Sequence, residues 1–265
     1  MKRIGYLHEQ VCSLSNIELA DRKARRHKSV RWGILKHDKH HAIMNITEPI
    51  WVNIFIKHTY SCIKDRGIHD VAKDLKYVLQ KYPEETKYCL KIDVKKFYPS
   101  INHDILYEIL QKKIKDPKLL SLLKEIIYSA DGVPIGNYLS QFFANLYLAY
   151  FGHWVKEELK CKFYFRYADD IVVLSDNKEF LRTVLLSMKL YLRNVLKLEL
   201  KQNYQIFPVN SRGIDFVYNY KSYYFESKNK RLLYSIRRYS LPVNFKITPY
   251  VRPKKNRSKP ATRTD

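Results

Sequence analysis

The stretch FYFRYADDIVVL, residues 163–174, places two adjacent carboxylates, Asp169 and Asp170, between two runs of aromatic and β-branched residues. Such runs favour β-strands, so the pattern predicts a buried hairpin with both acids at its tip. Aspartate is also common in turns for conformational reasons, which leaves a structural role open for the pair. Carboxylates in a core are costly without cations, however, and the flanking residues therefore favour metal binding.

A third acid, Asp93, follows the strand-like run at residues 88–92. Three carboxylates at the ends of neighbouring strands can hold two divalent ions, which stabilise the attacking and leaving oxygens of an in-line phosphoryl transfer. Mg²⁺ suits such a site because it prefers oxygen and phosphate ligands. We therefore expect Asp93 and Asp169 to be direct ligands of two Mg²⁺ ions, with Asp170 completing the acidic cluster.

The composition is strongly basic, since 49 Lys and Arg against 26 Asp and Glu give a net charge of +23 over 265 residues. A charge of this size predicts a polyanionic partner. Nucleic acid fits better than a membrane, because no apolar run approaches the roughly 18–20 residues of a spanning helix and no signal-peptide pattern opens the sequence. Four scattered cysteines support neither a zinc site nor a disulfide framework and favour a reducing cytoplasm.

Hydrophobic periodicity predicts most of the remaining elements. Asp116 and Pro117 are typical of an N-cap and the first position of a helix. Gly132 and Gly136, two of only seven glycines, suggest that something approaches the backbone closely there. The expected helices span residues 13–31, 42–58 with an interruption at Pro49, 102–114, 117–128, 139–155 and 177–195, and the expected later strands lie near 198–207 and 214–217.

The order strand, helices, strand hairpin, helix, strand indicates an α+β fold. It fits a split β-α-β or ferredoxin-like βαββαβ sheet with helices on one face. Asp93 and Asp169 would then lie on neighbouring strands.

Together these residues resemble the palm of a reverse transcriptase, over about residues 40–220. Residues 93–98 are similar to the family's first metal motif, 132–141 to its template and nucleotide loop and helix, and 167–170 to its signature metal hairpin. The resemblance implies a right-hand polymerase palm and an RNA-directed DNA polymerase activity. It also implies template RNA, primer or cDNA and dNTPs as partners, and a cytoplasmic location for a bacterial or phage-encoded protein.

The resemblance assigns further residues to the nucleotide and the template. Tyr98 is similar to the residue that closes under the sugar and excludes a ribose 2′-hydroxyl, although an ordinary core aromatic is an equal alternative. Ile135 and Gly136 would lie at the incoming nucleotide, with Gly136 allowing the backbone to lie against it. Ser140 and Gln141 would face the template.

The second motif, with Ile135, Gly136, Ser140 and Gln141, resembles the reverse transcriptases of diversity-generating retroelements in particular. Residues 203–208 and 213–216 are similar to later motifs of that subfamily. This implies error-prone copying, with errors at template adenines, and a small basic accessory protein as a partner. A group II intron, retron or phage-defence reverse transcriptase, or a truncated non-catalytic RNA-binding palm, are the alternatives.

The sequence departs from the family at both ends. The basic N-terminal segment leads into residues 42–58 without room for the usual fingers hairpin, residues 216–220 lack the usual primer-grip glycine, and the thumb is short or incomplete. Lys201 is a weaker candidate for protonating the departing pyrophosphate and stays outside the catalytic set. The expected domains are a basic N-terminal segment at 1–40, partial fingers at 41–87, the palm with the catalytic site at 88–225, a short thumb-like segment at 226–251 and a disordered basic tail at 252–265.

Overall fold

The computed structural model describes residues 3–25, 34–133, 138–214, 216, 223–225 and 247–249. Ile135 and Gly136 lie outside these ranges, as do the predicted basic tail and all of the thumb-like segment except 247–249. No helix within the described ranges is long and apolar enough to cross a membrane.

The centre of the protein is a five-stranded sheet in the order β1-β3-β4-β2-β5. Strand β1 pairs in parallel with β3, and the other neighbours are antiparallel. Strands β2 to β5 have the order of a ferredoxin-like βαββαβ unit, which confirms the predicted fold. The strands are β1 Thr59–Tyr60, β2 Tyr88–Asp93, β3 Phe163–Tyr167, β4 Asp170–Ser175 and β5 Gln205–Pro208, and β6 Tyr223–Phe225 pairs with β7 Ile247–Pro249 in a separate sheet.

Helices precede the sheet, connect its strands and follow it. Those between β2 and β3, together with α9 between β4 and β5, form the two crossovers of the ferredoxin-like unit. The described helices are α1 Leu7–Val11, α2 Leu14–Arg25, α3 Ile34–Val52, α4 Ile68–Lys81, α5 His103–Gln111, α6 Pro117–Ile127, α7 Tyr138–Tyr147, α8 Ala149–Glu157, α9 Lys178–Asn194 and α10 Val209–Arg212.

Both faces of the sheet are covered. Successive strand residues point to opposite faces, so Leu90 and Ile92 join the large core with the crossover helices, whereas Cys89 joins a second cluster. Helix α4 supplies Leu75 and Leu79 to that second cluster. The sequence predicted the crossover layer, and α4 adds a layer on the opposite face.

Several predicted boundaries are corrected by the structure. Helix α3 starts at Ile34, ends at Val52 and continues through Pro49, because proline removes only one helical hydrogen bond and the buried Trp51, 1% exposed, anchors the last turn. It also crosses the domain boundary predicted at residue 40. The single helix predicted over 139–155 is two helices, α7 and α8, which meet at Leu148 without a glycine or proline signal.

The strand predicted near 198–207 is also shorter than expected. Only Gln205–Pro208 forms β5, and Leu200 makes an isolated bridge to Val94. Ile214 is not in a strand, and Asp215 and Val217 lie outside the described residues.

Candidate active site

The hairpin of β3 and β4, two interior strands of the sheet, presents Asp169 and Asp170 at its turn. A two-residue turn, Ala168 and Asp169, joins the strands, and Ala168 adopts a left-handed backbone with φ +50°. Strand β2 runs antiparallel to β4 with Asp93 directly opposite Asp170. The sheet therefore brings the three acids predicted from the sequence to the same end of neighbouring strands.

Asp93 is held by Lys201, which the sequence marked only as a weaker candidate. The Lys201 backbone N–H donates to the Asp93 carbonyl at 2.8 Å, and its Nζ donates to Asp93 Oδ2 at 2.5 Å. The other carboxylate oxygen, Oδ1, is buried and has no hydrogen-bond partner among the described residues. One oxygen of Asp93 thus has a cationic partner, while the second has none.

The electrostatics at Asp169 disfavour its charge in the absence of cations. Burial and the nearby negative charge of Asp93, with a smaller contribution from Asp170, raise the pKa of Asp169 to about 6. Lys201 opposes this shift. A carboxyl with a raised pKa beside other acids is typical of sites that bind cations or transfer protons.

The donor set fits a divalent cation. It consists of carboxylate oxygens, the ligands that Mg²⁺ prefers, and the partnerless Asp93 Oδ1 is a buried acceptor that a cation would satisfy. No three His, Cys, Asp or Glu side chains within the described residues already form a metal-binding group. The three acids are neighbours in the sheet, not an assembled coordination shell.

Arg166, a residue of β3 that the sequence patterns did not single out, has a fully buried side chain. Its guanidinium donates to Asn145 Oδ1 at 3.0 Å, to the Asn145 carbonyl at 3.2 Å and to the Ala168 carbonyl at 3.0 Å. Asn145 in turn donates to the Ser61 carbonyl at 2.8 Å. Arg166 and Asn145 therefore fix the residue that precedes Asp169, and neither had a local sequence signal beyond a polar residue in an apolar run.

Tyr98 lies close to the acids, on a short 3-10 turn after β2. Burial, followed by interactions with Cys62 and with the Asp169 carboxylate, raises the pKa of its hydroxyl to about 12, so the phenol is neutral at physiological pH. The Val133 N–H donates to the Tyr98 carbonyl at 3.0 Å. The backbone after the α6 helix thus supports the Tyr98 turn.

Gly132 makes this support possible. It has φ +61°, and a Cβ there would lie 2.6 Å from the Tyr98 carbonyl oxygen and 2.7 Å from the Pro99 Cα. The His103 Nε2 lies 2.9 Å from the Gly132 carbonyl and, because a carbonyl only accepts, carries the proton. At Gly132, the close approach that the sequence suggested is therefore that of the Tyr98–Pro99 backbone.

The remaining predicted residues lie on or before α7. Ser140 is buried and Gln141 is half-buried, both in the first turn of that helix. Ile135 and Gly136 fall outside the described residues. The structure therefore brings together Asp93, Asp169, Asp170 and Tyr98, and within the described residues neither Ser140 nor Gln141 forms a hydrogen bond to any of the four.

Two sequence comparisons match this chain to the same kind of enzyme. Residues 22–204, more than half of the chain, match the family model described as "Reverse transcriptase (RNA-dependent DNA polymerase)". Retron Ec73 reverse transcriptase of Escherichia coli is 31% identical over 133 residues, a match that covers 45% of this chain and 40% of that protein. The chain thus matches less than half the length of this curated relative.

Solved structures with a similar fold include two yeast telomerases. Apo telomerase from Candida tropicalis, truncated from its C-terminal domain, is 14% identical with a TM-score of 0.52, covering 72% of this chain and 47% of that one. Telomerase from Candida albicans, in complex with a TWJ fragment of telomeric RNA, is 13% identical with a TM-score of 0.50, covering 73% and 41%. At these identities the likeness concerns the fold alone.

Proposed function

The chain belongs to the reverse transcriptase family, and from this premise we propose that it is an RNA-directed DNA polymerase that copies a template RNA into cDNA. The observation that carries the proposal is the convergence of Asp93, Asp169 and Asp170 at the same end of neighbouring strands, with one buried carboxylate oxygen lacking a hydrogen-bond partner among the described residues. Reverse transcriptases generally use divalent metal ions, and we propose two Mg²⁺ ions as the cofactor here.

Asp93 and Asp169 are the proposed direct ligands, with Asp170 completing the cluster. Bound Mg²⁺ would neutralise phosphate charge and lower the pKa of the attacking hydroxyl. Asp169 binds cations in its ionised form, and because its pKa is raised to about 6, that form predominates only above this pH in the metal-free protein. Lys201 neutralises Asp93 Oδ2 in the same state.

Tyr98 is the proposed sugar-facing residue. Its half-buried ring and neutral phenol suit a steric role against a ribose 2′-hydroxyl, and its backbone is supported by Gly132 and Val133. Ile135 and Gly136 are proposed to lie at the nucleotide, and Ser140 and Gln141 at the template side. Template RNA, primer and dNTPs are the corresponding substrates.

The proposed subtype is that of a diversity-generating retroelement, which would add errors at template adenines and a small basic accessory protein. The match to a retron reverse transcriptase favours a second candidate, a retron-type enzyme. Sequencing of cDNA made from a defined RNA separates the two candidates. Errors concentrated at template adenines support the first, and errors spread evenly over the four bases exclude it and leave the second.

Primer extension on a defined RNA template with Mg²⁺ and all four dNTPs tests the proposed activity. The purified chain should extend the primer, and an Asp169→Asn, Asp170→Asn variant should not. A variant with two exposed acids neutralised away from the site, Glu125→Gln and Asp176→Asn, is the matched control and should retain activity. RNA binding without extension by any of the three proteins would contradict the proposed activity and favour a non-catalytic RNA-binding palm.

A further inference from the structure

A cavity of about 490 Å³, which we call the N-terminal cavity, opens between the N-terminal segment and the junction of α5 and α6. Its volume falls within the range of about 300–1,000 Å³ that is typical of small-ligand sites. Neither Asp93 nor either acid of the hairpin lines it. The N-terminal cavity is therefore separate from the proposed catalytic site.

The wall of the N-terminal cavity is built by long-range backbone contacts. The Ile4 N–H donates to the Lys113 carbonyl at 2.8 Å, and the Lys115 N–H donates to the Ile4 carbonyl at 2.6 Å. Arg3 donates to the Ile114 carbonyl at 3.3 Å, across 111 residues of sequence. These contacts fix Arg3 and Lys115 beside each other as part of the fold.

Cations are in surplus on the cavity lining. Arg3, Lys115 and Lys118 all line it, and none of them forms an ion pair with another described residue. The lining carboxylates are Glu9 and Asp116. Three positively charged side chains thus share the lining with two carboxylates.

One of those two carboxylates is already used by the fold. Asp116 Oδ2 accepts the backbone N–H groups of Leu7 and His8, and Oδ1 accepts those of Lys118 and Leu119. With both oxygens saturated, Asp116 is not a partner for the lysine ammonium groups. The cations of the N-terminal cavity therefore lack a full set of counterions within the described part of the chain.

Tyr6 stands at the same cavity with 83% of its surface exposed. Its backbone is left-handed, with φ +56°, a conformation that non-glycine residues rarely adopt. An exposed aromatic ring beside unpaired cations is typical of surfaces that bind single-stranded nucleic acid, because bases stack on the ring while the cations contact the backbone. The N-terminal cavity combines both features.

We propose that the N-terminal cavity binds one nucleotide unit of a single-stranded nucleic acid outside the catalytic site. Arg3, Lys115 and Lys118 contact its phosphates, and the Tyr6 ring stacks on its base. The inference rests on the proposed function for its polynucleotide partner. It requires neither metal ions nor the catalytic acids, so the two proposals can fail separately.

The test is binding of short fluorescent single strands to the full-length protein in EDTA, measured by anisotropy over a range of salt. The variant Lys115→Gln, Lys118→Gln is compared with Lys178→Gln, Lys189→Gln, which removes the same charge from the exposed face of α9. The cavity pair should weaken binding about tenfold and lower the log–log salt slope by about 1.4, since each single-strand phosphate contact contributes roughly 0.7. The α9 pair should change the affinity less than about twofold.

Tyr6 is tested in the same assay. Tyr6→Ala should weaken binding about tenfold through loss of stacking, and Tyr6→Phe should restore it, because phenylalanine keeps the aromatic face. Tyr77→Ala is the matched control, since Tyr77 is also exposed but lies on α4. RNA and DNA strands of one sequence are compared in parallel. Weaker binding of both strands would show that the cavity recognises the phosphates and bases that they share, whereas weaker binding of RNA alone would show that it recognises RNA.

Equal losses in the cavity and α9 pairs, or unchanged binding by Tyr6→Ala, would overturn the inference in favour of diffuse attraction by the net charge. These results are distinguishable from failure of the proposed function. Primer extension by the unmodified chain, together with normal binding by the cavity variants, would support the proposed polymerase activity and contradict nucleic-acid binding at the N-terminal cavity. Binding that depends on the N-terminal cavity, without any primer extension, would support the cavity proposal and contradict the polymerase activity.

Discussion

Two carboxylate sites in this protein, one buried and one half-buried, differ in what the fold supplies to them. Asp116, 7% exposed, accepts four backbone N–H groups and caps both α1 and α6. Burial alone would raise its pKa, but these hydrogen bonds outweigh burial and lower it. Asp169 lies beside two other acids, and its pKa is raised to about 6. A structural carboxylate has its hydrogen-bond partners within the fold, whereas at the candidate metal site Lys201 pairs with Asp93 and the pKa of Asp169 remains raised.

The largest expected difference between the two sites concerns activity. Asp169→Asn should reduce primer extension by roughly a thousandfold, because metal ligands contribute several kcal/mol of transition-state stabilisation. Asp116→Asn should leave the extension rate of the folded protein nearly unchanged. Single-turnover rates at saturating Mg²⁺ measure both, and comparable losses in the two variants would erase the distinction.

The next expected effect concerns stability, for which Asp116 matters more than Asp169. Asp116→Ala should lower the free energy of unfolding by about 2–4 kcal/mol, since it removes the caps of two helices at about 1–2 kcal/mol each. Asp169→Asn should not destabilise the metal-free protein, because it relieves repulsion from Asp93. Urea unfolding in EDTA gives both values, and a stable Asp116→Ala variant would show that the four hydrogen bonds contribute little.

The pH dependence of stability should also have opposite signs at the two sites. The raised pKa of Asp169 contributes stability that is complete below about pH 4 and is lost as pH rises through about 6. Asp169→Asn should therefore match the unmodified protein near pH 4 and exceed it by about 1–3 kcal/mol above pH 7.

The lowered pKa of Asp116 has the opposite consequence. Its contribution is present above the ordinary aspartate pKa and is lost as pH falls through the folded-state value. The deficit of Asp116→Ala should therefore shrink below about pH 4. Urea unfolding across this pH range checks both trends, and parallel curves for the two variants would contradict the assigned pKa directions.

The smallest expected effect tests whether the nucleotide side of the site is held by the backbone instead of by cations. Gly132→Ala places a Cβ 2.6 Å from the Tyr98 carbonyl oxygen. It also forces alanine into a backbone conformation with positive φ, which costs about 1 kcal/mol or more. The Tyr98 turn must shift, so discrimination between dNTPs and rNTPs should fall several-fold while the Mg²⁺ dependence stays unchanged.

Competition between dNTP and rNTP incorporation measures the effect of Gly132→Ala. Gly67→Ala is the control, since its Cβ would meet only an ordinary contact of 3.5 Å with Asp70. Unchanged selectivity in Gly132→Ala would mean that Tyr98 does not depend on this support.

Local sequence patterns were sufficient to predict part of the structure around each carboxylate site. The apolar runs around Asp169 and Asp170 predicted the hairpin, and Asp116 followed by Pro117 predicted the start of α6, both as observed. The second role of Asp116, as the cap of α1, joins residues 109 apart in sequence. No local pattern contains that pairing.

The same limit explains what was missed at the candidate active site. Arg166 resembles an ordinary strand residue until Asn145 of α7 is placed beside it by the fold. Lys201 reaches Asp93 because its backbone also pairs with the Asp93 carbonyl, 108 residues away. Sequence patterns predicted that the three acids lie together, whereas the contacts of Arg166 with the hairpin and of Lys201 with Asp93 are visible only in the tertiary structure.

Direct metal binding tests the central claim most simply. Mn²⁺, titrated into the full chain as a spectroscopic substitute for Mg²⁺, is measured by the electron paramagnetic resonance of the free ion. The account predicts saturable binding by the unmodified protein and by Asp116→Asn, and its loss in Asp93→Asn and Asp169→Asn. Equal Mn²⁺ binding by all four proteins would contradict the assignment of these acids as the metal site.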